Sequence, residues 1–218
     1  MAHPNALNTS SPKAIVPQVY DFERECYRLP NGRSLFVLNR LDAPTSGVML
    51  MTMDEAVAKA VKSAFRERRC HKLYQAWVKR GAAIPTSGIW QDALRETQRS
   101  QGLRVQRSPK GQFAETRYEI VEAVRIGAYV LWRLFLSPHT GRTHQLRVQC
   151  ALRKCPILGD KTYGDFRWNR SLAKLTGREN LFLHSKRMEL SYQLNGKIFH
   201  FYAEQLPDDF WNLGGYYF

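Results

Sequence analysis

The chain has 218 residues, 44% of them hydrophobic and five of them Trp, enough to fill one large core or two small ones. Its 33 Lys and Arg against 19 Asp and Glu leave a formal net charge of +14, which favours a polyanionic partner through counterion release. No apolar run reaches membrane-spanning length, no basic-then-apolar leader is present, and Cys26, Cys70, Cys150 and Cys155 form no Cys-x-x-Cys pair. These features argue against a membrane protein, a secreted protein and a zinc protein, and we expect a reduced, cytoplasmic chain.

Residues 1–18 lack periodicity and read as a flexible arm. Pro30-Asn31-Gly32 signals a turn into a strand over Leu35–Leu38. A second apolar run follows at Val48–Met51, and the stretch between them carries Arg40, Asp42, Pro44, Thr45, Ser46 and Gly47. That pattern predicts strand, sharp loop, strand, with Thr45 and Ser46 hydrogen-bonding the loop and Gly47 taking backbone angles that other residues avoid. Asp54 is placed to cap a helix over Glu55–Arg69 whose Val57, Val61, Ala64 and Phe65 share one face.

His71–Lys79 reads as a strand. Residues 80–112, broken by Gly81, Pro85, Gly88, Gly102, Pro109 and Gly111 and carrying Arg95, Arg99, Arg104, Arg107 and Lys110, read as a basic loop region. Phe113–Val124 and Ala128–Leu136 form an antiparallel pair, and the second, apolar on both faces, belongs in the middle of a sheet. Thr143 is placed to cap a helix to about Arg153, with Leu146 and Cys150 facing in. Residues 166–180 carry no decisive pattern. Leu181–Ser185 is a strand, and Glu189–Leu194 with Lys197–Ala203 form a hairpin about Asn195-Gly196, the preferred pair for a type I′ turn. Leu206–Phe210 starts a short helix or tail.

On pattern alone Asp42 is better explained by an ordinary acidic surface hairpin than by a reacting carboxylate, since short motifs often match by chance. His139 and His144 lie five residues apart with no carboxylate pair beside them, a poor metal set.

Several blocks in order resolve that ambiguity. Arg40-Leu41-Asp42-x-x-Thr45-Ser46-Gly47 resembles the central motif of the RluA-like RNA pseudouridine synthases, and Ser137–Arg147 resembles their second signature. Pro156–Asp160, Tyr163-Gly164, Lys72-x-Tyr74, Ala114-x-Thr116-x-Tyr118 and Leu183-His184 are smaller matches, together spanning roughly residues 35–207. The resemblance implies an α+β fold with a mixed, largely antiparallel central sheet and flanking helices. It implies isomerisation of a uridine in structured RNA, ribosomal or transfer, with Asp42 as the catalytic carboxylate, Arg147 beside it and Tyr74 against the reacting base. Arg40 and Lys72 would then contact RNA, and Leu183 would wall the uracil pocket. It implies no cofactor and no metal, and we expect a monomer, with residues 19–218 as a single catalytic domain lacking an S4-like domain.

The chain departs from the resemblance in three places. The upstream strand carrying Lys-Pro is missing, Asn39 stands where histidine is common, and Gln149 stands where histidine often follows; the last two are expected to alter RNA contacts. Two other readings are open: a non-catalytic RNA-binding protein that keeps the fold, and a carboxylate-dependent hydrolase acting on nucleosides or glycosides, which would want a second acid that the sequence does not offer near Asp42.

Overall fold

The computed structural model describes residues 16, 18–81, 84–99 and 102–207. Most of the expected N-terminal arm, and the C-terminal stretch after Pro207, lie outside them. Packing divides the chain into two compact units. One comprises the described part of Met1–His71 with Arg187–Gln205, the other the described parts of Lys72–Lys186 and Leu206–Phe218.

In the first unit, β1 (Tyr20–Asp21), β2 (Cys26–Arg28), β3 (Ser34–Val37) and β5 (Met51–Thr52) form an antiparallel sheet, with β4 (Ser46–Gly47) in the connection before β5. The expected second strand is thus split, and only its end pairs with β3, Phe36 opposite Thr52 and Val37 opposite Met51. Helix α1 (Glu55–Arg66) starts as expected: one Asp54 carboxylate oxygen accepts the Ala56 and Val57 N–H groups at 2.8 and 3.0 Å. It buries Ala58, Val61 and Ala64. It ends three residues sooner than the sequence suggested, because Arg68 adopts φ +58°. The Arg68 N–H then reaches the Phe65 carbonyl and the Arg69 N–H the Ala64 carbonyl. That is a Schellman ending with arginine where glycine is usual, so the expected stop signal was missing. Val48, Leu50 and Val61 close a core with Met188 and Leu190, and Cys26, Phe36 and Ala58 close another.

The second unit is built on β6 (Cys70–Lys79), β7 (Ser87–Arg99), β8 (Gly102–Arg107), β9 (Gln112–Ile126) and β10 (Tyr129–Pro138), in the order β6-β10-β9-β7-β8, all antiparallel. The expected central strand is central: β10 lies between β6 and β9 and buries Leu131, Leu134 and Leu136. Much of the supposed loop region of 80–112 is instead the long hairpin β7–β8. Its inward positions are Trp90, Asp92 and Leu94, and the aspartate in that row hides the apolar alternation. Helices α2 (Gln145–Leu152) and α3 (Phe166–Thr176) follow, the second capped by Asp165, whose carboxylate accepts the Trp168 N–H at 3.0 Å.

Strand β11 (Leu183–Leu194) merges two segments that the sequence showed as separate, and it turns into β12 (Lys197–Glu204) through Asn195 and Gly196, both at positive φ. That is the tight turn expected of this pair. The fold is α+β and largely antiparallel. No helix among the described residues is long and apolar enough to cross a membrane.

Candidate active site

Asp42 lies half-buried in the loop between β3 and β5, and Arg40 beside it is exposed. The backbone closes the loop at its mouth, where the Leu38 N–H donates to the Leu50 carbonyl at 2.9 Å. One residue further in, the ladder is continued by a side chain. Asn39 Oδ1 accepts the Leu50 N–H at 2.6 Å, and Nδ2 donates to the Val48 carbonyl at 3.4 Å. At the tip the Thr45 N–H donates to the Asp42 main-chain carbonyl at 2.8 Å, and Gly47 takes φ +109°, as the sequence suggested. Thr45 does not brace the loop through its hydroxyl. Its Oγ1 is buried without a hydrogen-bond partner among the described residues, and the main chain does the closing.

In the other unit, α2 begins at His144 in the left-handed region, φ +51°, with no side-chain cap. Thr143 therefore does not cap it; its hydroxyl bonds Glu96. Gln145 organises this end instead. Its Oε1 accepts the Arg142 N–H and the Thr140 hydroxyl, at 3.0 and 2.7 Å. Its Nε2 donates to the Glu115 carbonyl and Thr116 Oγ1, at 3.0 and 2.8 Å. All four bonding sites of a buried amide are thereby satisfied.

One turn on, Arg147 is only 5% exposed and Asp160 only 1%. Arg147 donates from Nε to Asp160 Oδ2 at 2.8 Å and from Nη2 to Oδ1 at 2.9 Å, a two-bond fork. Asp160 Oδ1 also accepts the Thr162 and Tyr163 N–H groups. Burial pushes the Asp160 carboxyl up, but the Arg147 hydrogen bonds and charge and these two N–H groups outweigh it, and its pKa lies below the usual range. The guanidinium carbon of Arg147 sits 5.2 Å from the centre of the Tyr163 ring. The Tyr163 hydroxyl accepts the Val105 N–H from β8 at 2.8 Å and stands 2.8 Å from His144 Nδ1. Two glycines seat this loop. A Cβ on Gly159, at φ +75°, would come 1.8 Å from the Asn180 carbonyl oxygen, and one on Gly164 would come 2.2 Å from that of Asp160.

Lys72 and Tyr74 are half-buried on β6, Tyr74 opposite Leu136. The Lys72 ammonium lies near Gly141, in the turn before α2. Leu183 is buried at the start of β11, and Tyr74 packs against the same apolar cluster that holds Leu183 and Leu146. Gln149 does not reach RNA from the surface. It is fully buried, its Nε2 donating to Asp92 at 2.9 Å and its Oε1 accepting from the Thr116 hydroxyl at 2.6 Å. Sequence reasoning overlooked Asp160 as a partner of Arg147, Tyr163 as the ring beneath it and Asn39 as a brace; Asp160 and Tyr163 entered only as parts of the smaller family matches.

The family profile described as RNA pseudouridylate synthase matches residues 4–152. The chain belongs to that family. Asp42, Lys72, Tyr74 and Arg147 all lie within the matched region, and Leu183 lies beyond it. The tRNA pseudouridine synthase C of Yersinia pestis is 34% identical over 174 residues, covering 76% of this chain and 67% of that protein. The ribosomal large subunit pseudouridine synthase C of Escherichia coli strain K12 is 32% identical over 178 residues, covering 78% of this chain and 52% of that protein. The chain thus spans about two thirds of one relative and about half of the other. Human RNA pseudouridylate synthase domain containing 4 superposes with a TM-score of 0.60 at 28% identity, over 81% of this chain and 73% of that one. Human RNA pseudouridylate synthase domain containing 1 superposes with a TM-score of 0.64 at 23% identity, over 80% and 69%, and supports the fold.

Proposed function

We propose that this chain is an RNA pseudouridine synthase of the RluA-like type, acting on a uridine in transfer or ribosomal RNA, with Asp42 as its catalytic carboxylate. The observation that carries this reading is the Asp42 loop of a chain in this family, pinned at its mouth and at its tip. The reaction breaks the C1′–N1 bond of uridine, turns the uracil and joins C1′ to C5. C5 gives up its proton and N1 ends with one, so the atoms balance with no electrons and no outside group transferred. Such an isomerisation needs a nucleophile or base near C1′ and a site that retains uracil, and an aspartate suits the first role. Arg147 supplies a permanent positive charge, the Tyr74 ring stacks on the base, Leu183 bounds its pocket, and Arg40 and Lys72 meet the RNA. We further propose a cytoplasmic monomer whose residues 19–218 act as one catalytic domain. Tritium release from RNA carrying 5-tritiated uridine tests the proposal; no release from any cellular RNA would leave an RNA-binding protein with this fold.

Two further results are expected. The exposed basic residues of β7–β8 and the turn after it, Arg95, Arg104 and Lys110 among them, face solvent. RNA affinity should fall steeply with salt, and Arg95→Ala should lower the slope of log affinity against log salt by about 1. A flat salt dependence would separate the +14 charge from RNA binding. At Tyr74, alanine should weaken RNA binding by about 1–3 kcal/mol through lost stacking, whereas phenylalanine keeps the ring and most of the affinity. Equal affinities for the two variants would remove Tyr74 from the base.

A further inference from the structure

We propose that Asn39 is the positioning residue for Asp42: its side chain holds the loop in the shape that aims the carboxylate. The proposal rests on the reading of Asp42 as the catalytic group.

From β3 and β5 the strands run inward with Val37 opposite Met51, then Leu38 bonded to Leu50. Beyond that point the backbones separate around the loop, and the next main-chain donor on the outgoing limb is the Leu50 N–H. Asn39 takes it at 2.6 Å, shorter than the usual amide bond, while its Nδ2 reaches the Val48 carbonyl of the same limb. The amide thus adds a rung made by a side chain, three residues before Asp42. An unmade rung would leave a half-buried N–H open and the loop free to widen from its base. The loop tip has its own closure in the bond from Thr45 to Asp42, so widening would shift the tip as a piece rather than unfold it.

The chemistry of the rung says which replacement should work. Histidine places Nδ1 as many bonds from the backbone as asparagine places Oδ1. A neutral ring with its proton on Nε2 can therefore accept the same Leu50 N–H. A protonated ring cannot, because both its nitrogens are donors.

Asn39→Ala and Asn39→His should be compared with the unaltered protein by kcat and KM for RNA, across pH, with hydrogen exchange at the Leu50 amide. Alanine should lower kcat about 10–100-fold with little change in KM, as expected when a reacting group is misplaced by around an ångström, and should speed exchange at Leu50. Histidine should restore kcat at pH 8 and lose it again as pH falls through about 6.5, where the imidazole protonates. Unchanged kcat in Asn39→Ala, or an Asn39→His variant as poor as alanine at pH 8, overturns the proposal. If Asp42→Asn is inactive while Asn39→Ala turns over normally, only the positioning role falls. If Asp42→Asn stays active, the reading of Asp42 and the positioning role fall together.

Discussion

Asp42→Asn is expected to cut pseudouridine formation by about 10²–10⁴-fold or more while leaving RNA affinity close to that of the unaltered protein. Asparagine has the same shape and no negative charge to attack with or to take a proton. The loop should survive the change. Its tip is closed through the main-chain carbonyl of Asp42, and its base through Asn39 and Leu38, so none of these bonds uses the carboxylate. Tritium release reports the chemistry and a binding isotherm the affinity. A variant that releases tritium at the normal rate would show that another group does the work; one that no longer binds RNA would show that Asp42 acts in recognition.

Arg147→Ala is expected to produce the largest loss of stability. It leaves Asp160 as a buried carboxylate without its ion partner, a change that costs on the order of 3–5 kcal/mol. Arg147→Lys should recover only part of this, since an ammonium cannot reproduce the two parallel bonds of the guanidinium. Denaturant unfolding at neutral pH measures both. The pair also sets an acid dependence. The folded-state pKa of Asp160 is depressed, so its contribution to stability is present above the unfolded value, about 3.9, and disappears as pH falls through the lower folded value. In the alanine variant burial is opposed chiefly by the Thr162 and Tyr163 N–H groups, so the loss of stability on acidification should shrink. An alanine variant as stable as the original, with the same acid dependence, would mean that solvent satisfies Asp160.

What could be read from the sequence followed from local chemistry. β10 announces itself by apolar residues on both faces, α1 by Asp54 ahead of an apolar stripe, and the β11–β12 turn by Asn195-Gly196. The β7–β8 hairpin escaped because its buried row includes Asp92, which is satisfied by Gln149 and Arg153 from α2 and the residue after it, long-range partners that no window of sequence shows. The start of α2 escaped for a similar reason. Thr143 looked like a cap, but Gln145 satisfies the turn by bonding β9, and His144 takes a backbone conformation uncommon for residues other than glycine. Asp42, Arg147 and Tyr74 stood out through family motifs. Asp160 lay within the Pro156–Asp160 match, but its pairing with Arg147, thirteen residues earlier, did not stand out, since a charge pair formed across a turn has no periodicity.

The glycine-seated loop that carries Asp160 bears on how this scaffold could be redirected by laboratory selection. Positions 159 and 164 admit no side chain without pushing main-chain atoms apart, so diversity introduced there would mostly yield chains that fail to fold. The exposed positions of β7 carry no such constraint: Ile89 and Arg95 lie open to solvent on a hairpin anchored by Leu94, Val105 and Tyr163. A library aimed at new RNA targets would keep the yield of folded variants high by varying that outer face and leaving 159–164 untouched.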